Sequence, residues 1–522
     1  MMAAVLLVPA SAPAQVTGFT SGVTAGEVTA HTAIVWGRTD KPAFVVAQVA
    51  KDKAFHNLVR QRSLQATKAN NNTVQTLFDG FAPNTTYRYR FCYPGAVKCS
   101  AAGKFVTAPR PTDPKTIRFA YSGDETAVAA PGQTQPYWGD FTAFKTMAAE
   151  NNNFNIDFGD TIYSDPEVPG AATASTVAQK WAYYRKKLSL PNMQKIREST
   201  GLYNHWDDHE FINDFSIPED GRALYDRSVK AFRNYEPVTY TSKNGIYRTV
   251  RWGKNLQMFF LDERSFRSAK ASANHVCDNG GSPDLAPTAP QSTRNFFGAL
   301  VPSLNNPVSQ ACKNKINDPN RTFLGSHQLQ RFIYEVKHST ARWKVVMNED
   351  PIQQFYALPY DRWEGYAYER VKLLKALDNA NVSRLVFLTT DTHAALANVV
   401  RYRTLSGDVA PGNAPATAPS DTPYQDFVIG PVGTTPFWQE IDETTGTDGS
   451  GQLISNLFFK PAATGTSPPG GMGMACAQGG QNSYAEVTVT GSTLKVAYKD
   501  ENGNTLLDSD GSTPCGPYVL TG

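Results

Sequence analysis

Asn204-His205-Trp206-Asp207-Asp208-His209-Glu210-Phe211 reads as the exit of a buried strand, Gly201 to Trp206, into a loop that carries three carboxylates and a histidine beside a tryptophan. An apolar core does not tolerate such a run without partners. Bound cations are the partners that fit.

The same kind of ending recurs along the chain. Ile117 to Ser122 runs into Gly123-Asp124-Glu125, and Phe154 to Phe158 into Gly159-Asp160-Thr161-Ile162-Tyr163. Leu256 to Leu261 runs into Asp262-Glu263-Arg264, and Leu385 to Thr389 into Thr390-Asp391-Thr392-His393. In an open α/β sheet, ligands gather at the carboxyl ends of strands. One aspartate after one strand is ordinarily a helix N-cap. Five acidic endings reverse that reading, because crowded carboxylates repel and take up protons unless cations hold them. Aspartate, histidine and phenolate donors without a thiolate select calcium, manganese, iron or zinc over copper.

Between these strands, and with a further one expected at Trp343 to Met347, helical periodicity predicts helices over Phe141 to Glu150, Val177 to Leu188, Gly221 to Tyr235, His327 to Lys337 and Tyr366 to Leu377. Tyr484 to Val489 and Thr493 to Tyr498 pair as a hairpin. Stretches rich in Gly, Pro and Ser, around Asn279 to Ser292, Gly407 to Pro423 and Pro461 to Gln481, read as surface insertions. From Phe19 to Ala108 the texture is different: short alternating strands such as Thr32 to Trp36, Phe44 to Val49, Thr86 to Phe91 and Gly103 to Thr107. That spacing predicts an antiparallel sandwich. Gly80 to Tyr87 looks like the loop and corner tyrosine of a fibronectin- or immunoglobulin-like domain. The expected division is a signal-peptide-like segment over 1–14, the sandwich over 15–110 and a catalytic unit over 115–522.

Composition narrows the class. At 522 residues two domains are the starting expectation. A net charge of +3 with no basic tract disfavours nucleic acid as a partner. No later run is apolar enough for a transmembrane helix. Ala3 to Pro9 followed by Ala12-Pro13-Ala14 resembles a signal peptide and its cleavage point, although a basic n-region is absent. Six cysteines fall into three local pairs, Cys92 with Cys99, Cys277 with Cys312 and Cys476 with Cys515. None has zinc-ligand spacing, so disulfides in a secreted, periplasmic or cell-surface protein are expected.

Taken together, Gly159 to Tyr163, Trp206 to Glu210, Leu261 to Arg264, Trp343 to Asn348, Trp363 to Tyr366 and Thr390 to His393 resemble, in that order, the PhoD-like alkaline phosphatase and phospholipase D family of metallophosphoesterases. The resemblance implies a four-layer αββα catalytic fold behind the β-sandwich. It also implies hydrolysis of phosphomonoesters or phosphodiesters by a metal-activated hydroxide, with calcium and iron as the ions. Carried onto this chain, Asp160 is the ligand shared between metals, Tyr163 a phenolate ligand, Asp208 a further ligand and His209 the catalytic histidine. Asp391 and His393 close the metal shell. Arg264 and Arg267 are candidates to grip phosphate, and Asn213 is a further candidate ligand or a loop cap. The chain departs from the family where a cysteine follows the first strand: Ser122-Gly123-Asp124 stands there, so Asp124 would supply an oxygen and manganese or zinc become alternatives to iron. A phospholipase D-like diesterase acting on lipid headgroups, and an inactive binding protein on the same fold, are the alternative functions.

Overall fold

The computed structural model describes residues 18–95, 98–277, 288–357, 360–408, 420–461 and 471–522. The signal-peptide-like segment and much of the three Gly/Pro/Ser-rich insertions lie outside them. The N-terminal part is the expected sandwich. A sheet of Val23–Gly26, Ala33–Arg38 and Thr73–Phe78 faces one of Leu58–Ala66, Ala43–Ala50, Thr86–Cys92 and Gly103–Val106. Strand alternation does the sorting: Val45, Ala47 and Val49 are buried against Tyr89, Phe91 and Phe105. The corner tyrosine is in place, with the Ala82 amide donating to the Tyr87 hydroxyl at 3.0 Å.

The rest of the chain builds two sheets packed face to face. The first runs in the order Gly201–His205, Phe154–Phe158, Ile117–Ser122, Ser483–Val489, Thr493–Asp500, Tyr518–Thr521. The second runs in the order Arg248–Trp252, Leu256–Phe260, Trp343–Asn348, Leu385–Thr389, Asp421–Val428, Ala395–Arg401, Cys476–Gln478. Their inner faces form one core that includes Phe119, Ile156, Tyr203, Met258, Val345, Leu388, Val487 and Val496. Helices Thr142–Ala149, Val177–Leu188, Pro191–Ser199 and Arg222–Tyr235 cover the first sheet, and Ser326–His338 and Ala367–Asn379 the second. The result is the four-layer αββα arrangement. All three local cysteine pairs are disulfides.

Register sets where the acidic loops emerge. The three strands Gly201–His205, Phe154–Phe158 and Ile117–Ser122 are parallel, pairing His205 with Phe158 and Ser122 with Asp157. In the second sheet Phe260 pairs with Met347, and Asn348 with Thr389, also in parallel. Their carboxyl ends are therefore level within each sheet. Strand Gly201–His205 is an edge strand, and the sandwich covers it: the Tyr203 hydroxyl donates to the Val28 carbonyl, and Arg248 pairs with Glu27 at 2.7 Å.

Trp36 locks this contact. Its indole is fully buried, donates to the Asn234 carbonyl at 2.7 Å and lies 5.0 Å from the Arg197 guanidinium, which is itself paired with Glu236 at 2.7 Å. Trp36→Ala is expected to lower stability by about 3–5 kcal/mol. Urea denaturation followed by circular dichroism measures this, and a loss below about 1 kcal/mol would contradict the buttressing role.

Candidate active site

Sharp turns after the strands bring the acidic residues together. Asp124, Asp160, Asp391 and His393 all sit at positive φ, at 61°, 51°, 66° and 52°. Non-glycine residues adopt that region reluctantly, and clusters of them mark functional sites. Gly123 and Gly159 permit the approach. A Cβ on the former would lie 2.5 Å from the Phe158 carbonyl oxygen, and on the latter 2.9 Å from the Asp207 Cβ. Glu210 ties two of the loops, accepting from the Thr161 amide at 2.5 Å and the Asp207 amide at 2.9 Å.

The expected site residues converge. Asp124, Asp160 and His393 offer ligand atoms within 4.8 Å of one another, as do Asp160, Asp208 and His209, and also Asp207, Asp208 and Asp391. Asp160 and Asp208 each belong to two of these groups. Cross-links hold the set: the His209 amide donates to Asp160 at 3.1 Å, and the Asp391 amide to Asp124 at 3.3 Å. Tyr163 is buried, stacks on His209 with centroids 4.0 Å apart and hydrogen-bonds His393 Nε2 at 2.8 Å. Burial and the neighbouring Asp160 and Asp124 push its phenol well above the usual range.

The donor set fits cations. Asp124 Oδ2, Asp207 Oδ2, Asp208 Oδ1 and both Asp350 carboxylate oxygens are buried without a hydrogen-bond partner. Buried polar atoms of that kind call for an ion or a water. Burial pushes Asp124 up to about 8 and Glu263 up to about 8, and lifts Asp160 well above its usual range. Burial opposes charge on His209, but Asp160, Asp208 and Asp165 outweigh it and raise that imidazole. His393 is likewise drawn down by burial and lifted by Glu440 and Glu167, to about 10. Two carboxylates outside the motifs orient these rings: Asp165 meets His209 Nδ1 at 2.8 Å, and Glu440 meets His393 Nδ1.

A cavity of about 260 Å³ opens over the cluster, lined by Asp160, Asp208, His209, Arg362, Asp391 and His393 among others. The arginine that faces it is Arg362, whose Nε and Nη2 both lie 2.8 Å from Asp391 Oδ2. Arg264 lies beneath, fully buried, with Asp207 at 2.5 Å and Asp361 at 2.5 Å. Arg267 is buried with it, 2.7 Å from Asp361 and stacked near Phe323. Asn213 lines the cavity, and its backbone N–H donates to Asp165 Oδ2 at 2.8 Å. Asp262 stands apart as a loop cap, accepting from Trp206 Nε1 at 3.2 Å and Ser265 Oγ at 2.7 Å. Sequence reading passed over Asp165, Glu167, Arg362 and Glu440. Arg362 adjoins the Trp363-Glu364-Gly365-Tyr366 motif and could have been found there; Glu440 carries no local pattern.

Comparisons with known proteins follow the same lines. The family described as PhoD-like phosphatase matches residues 127–457, and that described as PhoD-like phosphatase, N-terminal domain, matches residues 6–109. Alkaline phosphatase D of Bacillus subtilis (strain 168) is 25% identical over 425 residues. That match takes in 73% of this chain and 65% of the relative's length. A solved structure of PhoD superposes with a TM-score of 0.70 at 21% identity, covering 98% of this chain and 90% of the other. The purple acid phosphatase PPD1 of yellow lupin (Lupinus luteus) superposes at 0.53 and 10% identity, covering 94% and 74%.

The crowded carboxylates generate a sign test. An acid whose folded pKa is raised destabilises the fold as pH climbs from its unfolded value of about 4 to its folded value. With Asp124 and Glu263 both raised to about 8, chelator-treated protein is expected to melt lower at pH 8 than at pH 5. Re-adding calcium with iron, manganese or zinc should restore the pH 8 melting temperature by mass action. Melting curves that ignore both pH and metal would count against a cation site.

Proposed function

The chain belongs to the PhoD-like phosphatase family, and from that premise we propose that it is a metal-dependent phosphoesterase that hydrolyses phosphomonoesters, phosphodiesters or both. The observation that carries this reading is the cluster of buried aspartates, with Asp124 Oδ2, Asp207 Oδ2 and Asp208 Oδ1 lacking a hydrogen-bond partner, next to a cavity lined by Asp160, Asp208, Asp391, Arg362 and two carboxylate-oriented histidines. We assign Asp124, Asp160, Tyr163, Asp208, Asp391 and His393 as the residues that hold two or more ions. The all-oxygen and imidazole donors favour calcium with iron, manganese or zinc. Such ions supply Lewis acidity, lowering the pKa of water and offsetting charge on phosphoryl oxygens.

The chain's own groups do the rest. Arg362, anchored by Asp391 and by the Ala357 carbonyl at 3.0 Å, presents a rigid fork to the phosphate oxygens. His209 is held at Nδ1 by Asp165, which directs Nε2 toward the reacting group. As water oxygen bonds to phosphorus and the bond to the alcohol breaks, Nε2 gives its proton to the departing oxygen. Arg264 pairs with the acids beneath, holding Asp207 and Asp361 in place; with Arg267 it outweighs burial at Asp361 and keeps that carboxylate ionised. The three disulfides support a location in an oxidising compartment, secreted, periplasmic or at the cell surface. Among the described residues no helix is long and apolar enough to cross a membrane. The substrate is a small phosphate ester, with the headgroup of a phospholipid as the alternative.

Hydrolysis of p-nitrophenyl phosphate and bis-p-nitrophenyl phosphate tests the reading and ranks monoester against diester. His209→Ala is expected to lower kcat by about 10²–10⁴. Asp391→Asn should lower both rate and metal content. Arg362→Ala is expected to cut kcat/KM by roughly 10–100-fold, the value of a charge-assisted hydrogen bond. Unchanged rates in the His209 and Asp391 variants would sink the assignment.

A further inference from the structure

Beside the polar cavity lies a second one of different character. It measures about 80 Å³ and is lined by Phe355, Phe437, Ile441, Phe458 and Phe459 among others, with no carboxylate among its described lining residues. The two cavities share a wall. Helix Phe437–Thr445 turns Glu440 toward the polar cavity and Ile441 and Thr444 toward the apolar one, and the Phe437 amide donates to the His393 carbonyl at 3.1 Å. On the opposite side the Arg362 guanidinium lies 5.5 Å from the Phe355 ring centroid and donates to the carbonyl of Ala357, another lining residue of the apolar cavity. The arginine that faces the polar cavity thus rests on residues of the apolar one.

We propose that the apolar cavity is a specificity subsite for the alcohol side of the substrate, taking the first few carbons of an alkyl chain while Arg362 holds the phosphate. This rests on the phosphoesterase reading above. Position supports it, because Arg362 packs on Phe355 and donates to the Ala357 carbonyl, both lining the apolar cavity, so a phosphate held by Arg362 lies next to that cavity. Chemistry supports it, because an apolar cavity offers water too few partners to hold it, so an alkyl group enters without displacing bound solvent. Size limits it. The volume is about half that of an apolar cavity of ~150 Å³ that takes up benzene. A short or branched alkyl group fills it, and a full acyl chain does not.

Titration calorimetry of the metal-loaded full-length protein with methyl-, ethyl-, butyl- and hexylphosphonate reads the subsite without turnover. Affinity is expected to rise by about fourfold per methylene to butyl and then to level off. Ile441→Trp fills the cavity from the helix, and Thr444→Trp fills it from an exposed position that does not disturb the core. Both should flatten the series to within about twofold while leaving methylphosphonate binding unchanged. A flat series in the wild type, or a gradient that survives in both variants, overturns the proposal. A rise that continues through hexyl overturns the short-chain assignment. Turnover of p-nitrophenyl phosphate with a flat series would sink the subsite alone, whereas a gradient without turnover would sink the phosphoesterase reading alone.

Discussion

The structure is organised around an electrostatic problem, the burial of many carboxylates at the edge where two sheets end side by side. Asp124, Asp160, Asp207, Asp208, Glu263, Glu349 and Asp350 are all buried there or nearly so. Arg264 answers part of it by standing within 4.0 Å of Asp207, Asp208, Glu349, Asp350, Asp361 and Asp391. Burying that many charges is unfavourable unless each finds a partner. One arginine cannot satisfy so many acids: Asp124 Oδ2 and Asp207 Oδ2 keep no hydrogen-bond partner, and Asp160, Asp208 and Asp391 present further carboxylates to the cavity. The excess of negative charge is therefore local and directional, which is the condition for binding small, highly charged cations.

The rest of the fold serves to keep those acids from moving apart. Parallel pairing makes the strand ends level, and the left-handed turns at Asp124, Asp160, Asp391 and His393 aim the side chains inward. Such turns persist only where the surroundings over-determine them. Glu210 does this between two loops, and Lys180 does it beneath them, donating to the Glu210 and Phe211 carbonyls at 2.9 and 3.1 Å. The N-terminal sandwich contributes by closing the edge of the strand that delivers Asp207, Asp208 and His209. It is remote from the chemistry but fixes one side of the site.

Much of this was legible in the sequence because fully buried strands read as short apolar runs ending in acids. Ile117–Ser122, Phe154–Phe158 and Leu385–Thr389 have the boundaries that pattern predicts, and helix Val177–Leu188 likewise. Other elements left no such trace. Asp421–Val428 carries Pro423 and alternates polar with apolar residues at the end of a Gly/Pro-rich stretch, so it reads as loop until it docks between Leu385–Thr389 and Ala395–Arg401. The acidic and histidine side of the site was visible because its residues sit directly after strands. Arg362 was marked only by its place beside the Trp363 to Tyr366 motif, and Glu440 by nothing, because it arrives on a helix whose place against the sheet is a tertiary fact. Arg264, expected to meet phosphate from its position after Asp262, is drawn under the site by acids from four separate segments.

Helix Phe437–Thr445 shows why the last parts of the site could not be separated from its surroundings. Its first turn carries Phe437 and Glu440 against His393, and its next residues face the apolar cavity. An amphipathic helix packed at a junction must satisfy both neighbours, and here one neighbour is a histidine in the charged cluster and the other a greasy void. One helix thus carries both the wall of the apolar cavity and the carboxylate that orients His393 Nδ1. Arg362 makes the same bargain on the opposite wall, with its charge on Asp391 and its face on Phe355. The polar cavity and the apolar one beside it thus rest on the same two supports. On the proposed function, substrate preference accordingly traces to residues of that shared wall and not to the acids of the cluster.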